Sequence, residues 1–246
     1  MRYELYYWPG IQGRGEFIRL AFEEAGVEYV DVALKPEKDG GGVAAMERFL
    51  DGADIIYPPF ACPFLKVGRQ LIAQTANILL FLGPRLSLVP KSAAGRLWTH
   101  QLQLTLMDFV HEIHETHHPI AAGLYYEDQK PAARRRAADF LGQRWPKFFD
   151  YFERVLERNP DSDQWMVGGE LTYVDLSMAQ VVAGLRDAFP KASRQALRSH
   201  PRLRMLREKV FARPRVQAYV ESPRRIAFNK QDLFRRYPEL DGNFGP

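Results

Sequence analysis

The chain has 246 residues, 46% hydrophobic and 26% charged, with a formal net charge of +4. That composition excludes a disordered chain, and no run reaches the ~18 consecutive apolar residues of a membrane helix. The single cysteine, Cys62, excludes an internal disulfide and a multi-cysteine zinc site. Met1-Arg2-Tyr3-Glu4 leads into no basic stretch followed by an apolar core, so the sequence predicts a cytoplasmic protein without a secretory signal.

The first predicted element is an aromatic strand, Tyr3-Glu4-Leu5-Tyr6-Tyr7-Trp8, which stops at Pro9-Gly10. Residues 15–25 then read as a helix, with Phe17, Leu20, Ala21 and Ala25 on one face and Gly26 suited to its C-terminus. A second strand is predicted at 29–32, a flexible Gly-rich loop at 35–42 and a short helix at 44–50. Residues 64–67 and 70–73 flank Gly68-Arg69 as a hairpin, and 75–82 is a helix ended by Gly83-Pro84. The order β-α-β-(α)-β-β-α predicts a mixed sheet with helices packed on it. Residues 84–92 read as a linker with two prolines. Beyond it the pattern is helical: 93–118, 132–158 with a kink expected at Pro146, 173–186, and a helix opened by Pro201.

Three stretches carry candidate chemistry. In Tyr57-Pro58-Pro59-Phe60-Ala61-Cys62-Pro63, the last proline precedes a strand that must pair. A cis Cys62–Pro63 bond would turn the Cys62 N–H and C=O outward, to pair with a peptide-like ligand. An ordinary trans proline at a strand edge explains the same residues, and the base rate of about 5–6% cis favours it. Eleven residues on, Gln74-Thr75 precedes a helix. Thr75 reads as an N-cap, and the free N–H groups of a helix start suit a carboxylate, although most caps bind nothing. His114-Glu115-Thr116-His117-His118 matches the zinc-protease string H-E-x-x-H, with His111 in phase. Pro119 follows at once and no third-ligand pattern lies downstream, so the residues favour no metal. Thr172–Asp175 reads as a structural capping box.

Charge is concentrated late. Between Arg202 and Arg236 eleven basic residues face three acidic ones, Glu208, Glu221 and Asp232. No groove-reading motif or aromatic platform accompanies them, so a solvated face is favoured over nucleic-acid binding.

In this order and spacing, Tyr7-Trp8-Pro9 with Gly13-Arg14, Cys62-Pro63 with Gln74-Thr75, and Thr172-Tyr173-Val174-Asp175 resemble the tyrosine-type glutathione S-transferases over essentially the whole chain. The resemblance implies an α/β plus all-α architecture: a thioredoxin-like domain at 1–83, a linker at 84–92, and a helical-bundle domain with a C-terminal tail at 93–246. It implies glutathione as co-substrate, a small apolar electrophile as the other, and a homodimer. It makes Tyr7 the catalytic hydroxyl. Cys62 before a cis Pro63 would hold the cysteinyl part by its backbone, and Gln74 and Thr75 the γ-glutamyl end. Arg14 would support the site, and Glu112 would reach the partner subunit's glutathione. One residue more than the commonest pattern lies between Pro9 and Gly13, which leaves Tyr6 as the fallback hydroxyl. The loop 35–52 is longer than usual, with Lys35 and Lys38 as candidates for the glycyl carboxylate. Tyr125 and Tyr126, like the histidines, are candidates for the edge of the second-substrate pocket. Thioredoxin-like redox enzymes carry a cysteine at the first turn after strand one. Here that turn, Pro9-Gly10-Ile11-Gln12-Gly13, has none, so thiol–disulfide exchange is disfavoured. The alternative is a non-catalytic glutathione-binding or protein-interaction module of the same fold.

Overall fold

Four short strands form one sheet in the order β2-β1-β3-β4, in a computed structural model that describes residues 2–242. They are β1 (Tyr3–Tyr6), β2 (Tyr29–Asp31), β3 (Phe64–Val67) and β4 (Gln70–Ala73). β1 runs parallel to β2 across a helical crossover, α1 (Glu16–Ala25), and antiparallel to β3, which pairs with β4 through the predicted hairpin. Gly26, at φ 66°, ends α1 by turning its N–H onto the Phe22 and Glu23 carbonyls. The alternation of β1 separates two aromatic layers. Tyr3 meets Phe22 of α1 at 5.0 Å between ring centroids. Tyr6 stacks on Phe64 at 4.5 Å and meets Phe49 of α2 (Gly42–Leu50) at 5.2 Å. α3 (Thr75–Leu82) follows β4 and buries Ile78, Leu79 and Leu82. The mixed sheet is thus as the residue pattern predicts. α2 begins two residues before the predicted 44, and the loop 35–42 holds a single 3-10 turn, Glu37–Asp39.

The chain divides into two compact units. The first runs through Leu88 and also takes in Arg213–Ala227; the second comprises Val89–Ala212 and the chain from Phe228 onward. Residues 1 and 243–246, the outer ends of the two expected domains, lie outside the described residues. The second unit is helical: α4 (Ala93–Glu115), α5 (Lys130–Asp139), α6 (Trp145–Arg158), α7 (Tyr173–Ala188), α8 (Pro190–Ser199) and α9 (Pro201–Phe211). α7 is its centre, buried at almost every position. Phe109 of α4 lies 4.5 Å from Phe148 and 6.0 Å from Phe149 of α6. The predicted helix 132–158 is divided by a π-helical turn, Phe140–Arg144, just ahead of Pro146. A π turn shifts the hydrogen-bond register, which accommodates the donor that proline lacks. The Thr172–Asp175 box forms as predicted. The Asp175 carboxylate accepts from Thr172 N and Oγ1 and from Met166 N at 2.7–2.9 Å.

The tail differs from expectation. A short helix, α10 (Pro214–Val220), and the residues after it belong to the first unit, not to a helical domain running on from residue 93. The reason is charge. α1 offers Glu16, Glu23 and Glu24. Arg225 pairs with Glu16 at 2.9 Å, Arg224 with Glu23 at 2.6 Å, and Arg213 Nε donates to Glu24 at 2.7 Å. The basic run that reads as a solvated face in the sequence is therefore partly consumed inside the protein.

Candidate functional site

Strand register brings most of the expected residues to one edge of the first unit's sheet. Tyr6 pairs with Phe64, and Phe64 with Ala73. One step further along each strand come Tyr7, Pro63 and Gln74, so these three sit at neighbouring strand ends. Two helices start at this same end: α1, after a 3-10 turn Gly13–Gly15, and α3. Each presents the N–H-rich, positive end of its dipole.

Tyr7 is buried, and its hydroxyl oxygen accepts the backbone N–H of Arg14 at 2.8 Å. The glycines of the turn lie directly against its ring: a Cβ on Gly15 would fall 2.8 Å from the ring carbons, and one on Gly13 would collide with the hydroxyl. Tyr6, the fallback, points to the opposite side of the sheet, into an apolar cluster with Val32, Met46 and Phe64. Burial pushes its pKa up to about 12. Arg14 is half-buried, and burial pulls its guanidinium below the usual arginine range, opposed by Tyr7.

The Cys62–Pro63 bond is cis. The Cys62 thiol lies 3.3 Å from the Met46 sulfur, and burial pushes its pKa up, which makes it a poor nucleophile. Thr75 is the first residue of α3 rather than its cap. Gln74 holds the cap position, exposed and at φ 70°, without a side-chain capping bond. Positive φ at a non-glycine residue is the kind of strain that collects at ligand sites. The Thr75 hydroxyl is buried and has no hydrogen-bond partner in the protein.

The other expected residues have partners elsewhere, are exposed, or belong to the second unit. Lys35 donates to the Asp39 carbonyl of its own loop at 3.2 Å, and Lys38 is exposed. Glu112 belongs to the second unit. Arg144 grips its carboxylate with bonds of 2.6–3.1 Å and Arg136 adds one of 3.2 Å; these bonds hold it well below the usual carboxylate range. It clamps α4 to the helices that follow. In the H-E-x-x-H string, Glu115 is paired with His111 and Arg136, both at 3.1 Å, so the general base of a zinc protease is not formed. His117 is buried, and burial, with His114 next, pushes its pKa down to about 2. Tyr126 stacks on Tyr237 at 3.7 Å and donates to Glu239, while Tyr125 is exposed.

The residue reading missed the group beneath the turn. Glu16, fully buried, accepts from Tyr219 at 3.0 Å, Arg225 at 2.9 Å and Arg19 at 3.4 Å. Arg19 also binds Asp31 at 2.6 Å and the Gln12 carbonyl at 3.1 Å. The Gln12 amide in turn donates to the Ile226 carbonyl. The acidic residues of α1 were the available signal, but their partners lie about two hundred residues away in sequence.

A sheet of this order, with a cis proline opening β3 and a helical second unit, is the architecture of the glutathione S-transferase fold, and comparison with known proteins agrees. Residues 114–223 match the family profile described as "Glutathione S-transferase, C-terminal domain". The chain is 24% identical over 221 residues to a glutathione S-transferase of Plasmodium falciparum, covering 88% of this chain and 93% of that one. It is 22% identical to glutathione S-transferase P 1 of Xenopus laevis, covering 91% and 93%. Among solved structures, the Pi-class glutathione S-transferase of Onchocerca volvulus superposes with a TM-score of 0.68 at 18% identity, covering 90% and 93%. A monomeric glutathione S-transferase of Necator americanus gives 0.67 at 22%, covering 93% and 100%. In sequence and in fold the chain is similar to the glutathione S-transferases. No helix among the described residues is long and apolar enough to cross a membrane.

Proposed function

We propose that the protein is a cytoplasmic glutathione transferase that activates the glutathione thiol through Tyr7 and delivers it to a small apolar electrophile. The observation that carries this reading is the Tyr7 hydroxyl, fixed by the Arg14 N–H at the sheet edge where Cys62, Gln74 and Thr75 also end. A free thiol titrates near ~8.5, so only a few per cent is thiolate at neutral pH. Lowering that value by two units needs about 2.7 kcal/mol. A charge-assisted hydrogen bond to the thiolate supplies about 1.5–3 kcal/mol. Accepting from Arg14 polarises the phenol and makes its O–H a better donor. The positive end of α1 and the Arg14 cation act in the same direction.

In this reading the peptide edge of glutathione pairs with the Cys62 main chain, which lies just ahead of the first paired residue of β3. The γ-glutamyl carboxylate takes the start of α3, where the unpartnered Thr75 hydroxyl and the Gln74 side chain meet it. The thiolate then forms the new S–C bond. The electrophile's leaving group departs with the bonding electron pair, or in an addition the displaced pair takes a proton from water. Glu112, held by Arg136 and Arg144, keeps the role the resemblance gives it, reaching the partner subunit's glutathione in the dimer. The subunits would pair as a homodimer, which light scattering can check.

The test is Tyr7→Phe with 1-chloro-2,4-dinitrobenzene. Loss of one charge-assisted bond lowers kcat/KM by about 10- to 150-fold. The pKa of bound glutathione, read from thiolate ultraviolet absorption, rises toward ~8.5, while retention on immobilised glutathione persists. Unchanged turnover and unchanged thiol pKa would remove Tyr7 from the mechanism. Retention by the wild type without turnover would favour the non-catalytic module.

A further inference from the structure

The thiolate step proposed above uses none of the three imidazoles at the end of α4. We propose that His114, His117 and His118 form a binding site for a borderline divalent transition-metal ion of the Zn(II) class.

The geometry comes first. The residues stand at i, i+3 and i+4, so the last turn of α4 and the residues after it present all three rings on one side. Their ring centroids are 4.7–4.9 Å apart, and one ring nitrogen from each lies within 4.8 Å of the others.

Tautomer follows from a partner. His117 Nε2 lies 3.1 Å from the Leu233 carbonyl oxygen. A carbonyl can only accept, so Nε2 carries the hydrogen. In the neutral ring this leaves the lone pair on Nδ1, which faces His118 Nδ1 at 2.5 Å. A metal-binding histidine typically donates its second nitrogen to a backbone carbonyl in this manner, which fixes ring and tautomer. Two nitrogens on a tetrahedral ion, each ~2.0–2.1 Å from it, stand about 3.3 Å apart. The pair need only open by less than 1 Å, and His118 is half-buried and able to turn.

The charged surroundings are mixed. Arg235 faces His117 and His118 and opposes a cation. The C-terminal end of α4 directs its carbonyl dipoles toward the site and favours one. Glu115 is taken by His111 and Arg136, which leaves an all-imidazole donor set. Imidazoles select Zn(II), Cu(II) or Ni(II) over Mg(II) and Ca(II), which prefer oxygen.

The experiment is calorimetric titration of untagged, metal-free, full-length protein with zinc chloride, in a Cys62→Ser background so that the thiol cannot compete. Cobalt(II) visible absorption gives a second readout. His114→Ala and His118→Ala remove half-buried ligands. His111→Ala removes an exposed histidine of the same helix and serves as control. Circular dichroism establishes that each variant is folded. One ion per chain is expected, with affinity reduced at least about tenfold in His114→Ala and in His118→Ala, and unchanged in His111→Ala. The cobalt bands of a nitrogen-ligated tetrahedral site should disappear in the same two variants. Absence of saturable binding, or binding that survives both substitutions, overturns the proposal.

Discussion

Replacing Arg225 by Met tests whether the tail is structural to the first unit or merely rests on it. Arg225 is 11% exposed and bonds a Glu16 carboxylate that is fully buried. Removing one partner of a buried pair typically costs about 3–5 kcal/mol, because it strands the other charge. Here Glu16 keeps Tyr219 and the Arg19 guanidinium, so the loss is nearer that of a single charge-assisted bond, about 2–3 kcal/mol. The neighbouring Arg224–Glu23 pair has a shorter contact, 2.6 Å, but its arginine is 60% exposed. Solvent screening and side-chain entropy hold that pair to about 1 kcal/mol or less. Distance alone would rank the two pairs in reverse order. Urea unfolding followed by circular dichroism should therefore show a much larger loss for Arg225→Met than for Arg224→Met. The Arg224 effect should fade in high salt and the Arg225 effect persist. Turnover should follow the same ranking. The Glu16 N–H and the Arg19 guanidinium both hold the Gln12 carbonyl, and Gln12 begins the turn that presents Arg14 to Tyr7. Equal losses from the two substitutions, or loss of both effects in salt, would refute this reasoning.

Two further predictions separate ligand binding from stability and set a pH dependence. Thr75→Val removes a buried hydroxyl that no protein group satisfies, so it should leave the unfolding midpoint unchanged or raise it. The KM for glutathione should rise about three- to tenfold, the value of one hydrogen bond; an unchanged KM would remove Thr75 from the site. Burial pushes the Asp175 carboxyl up to about 6 from the ordinary ~4. The folded state therefore binds this proton more tightly than the unfolded chain. The associated stability is full below about pH 4 and is lost as pH rises through 6, to at most about 3 kcal/mol. The stability advantage of the wild type over Asp175→Asn, from paired denaturation curves, should thus narrow between pH 4 and pH 7. An advantage that widens would show that the three donors to the carboxylate outweigh its burial.

The elements legible in the sequence are those with local punctuation. Gly68-Arg69 bounds β3 and β4, Gly83-Pro84 ends α3, and Thr172 with Asp175 opens α7, and all of these elements begin where predicted. α8 and α10 were overlooked. Both are short, and each opens on a proline, at 190 and 214, which resembles a break until the following residues are seen to coil. The same rule, applied at Pro201, finds α9. Thr75 reads as the cap because caps favour hydroxyls, whereas the helix starts at Thr75 and the hydroxyl remains unpartnered. No local pattern could pair Glu16 with Arg225, since ion pairs across two hundred residues leave no periodicity to detect.

Strand geometry separates Tyr6 from Tyr7 as candidates for the hydroxyl. Strand alternation sends the two tyrosines to opposite sides, and only the side of Tyr7 faces the start of α1. The longer turn is absorbed ahead of Gly13, where Gly10 takes φ 81° and Gly13 φ 46°, conformations costly for other residues. Because neither Gly13 nor Gly15 carries a Cβ, the backbone closes directly onto the Tyr7 ring and brings the Arg14 N–H within 2.8 Å of its oxygen. A side chain at either glycine would force the turn off the ring and release that bond. The position of the Tyr7 hydroxyl therefore depends on two glycines and a buried ionic group beneath them.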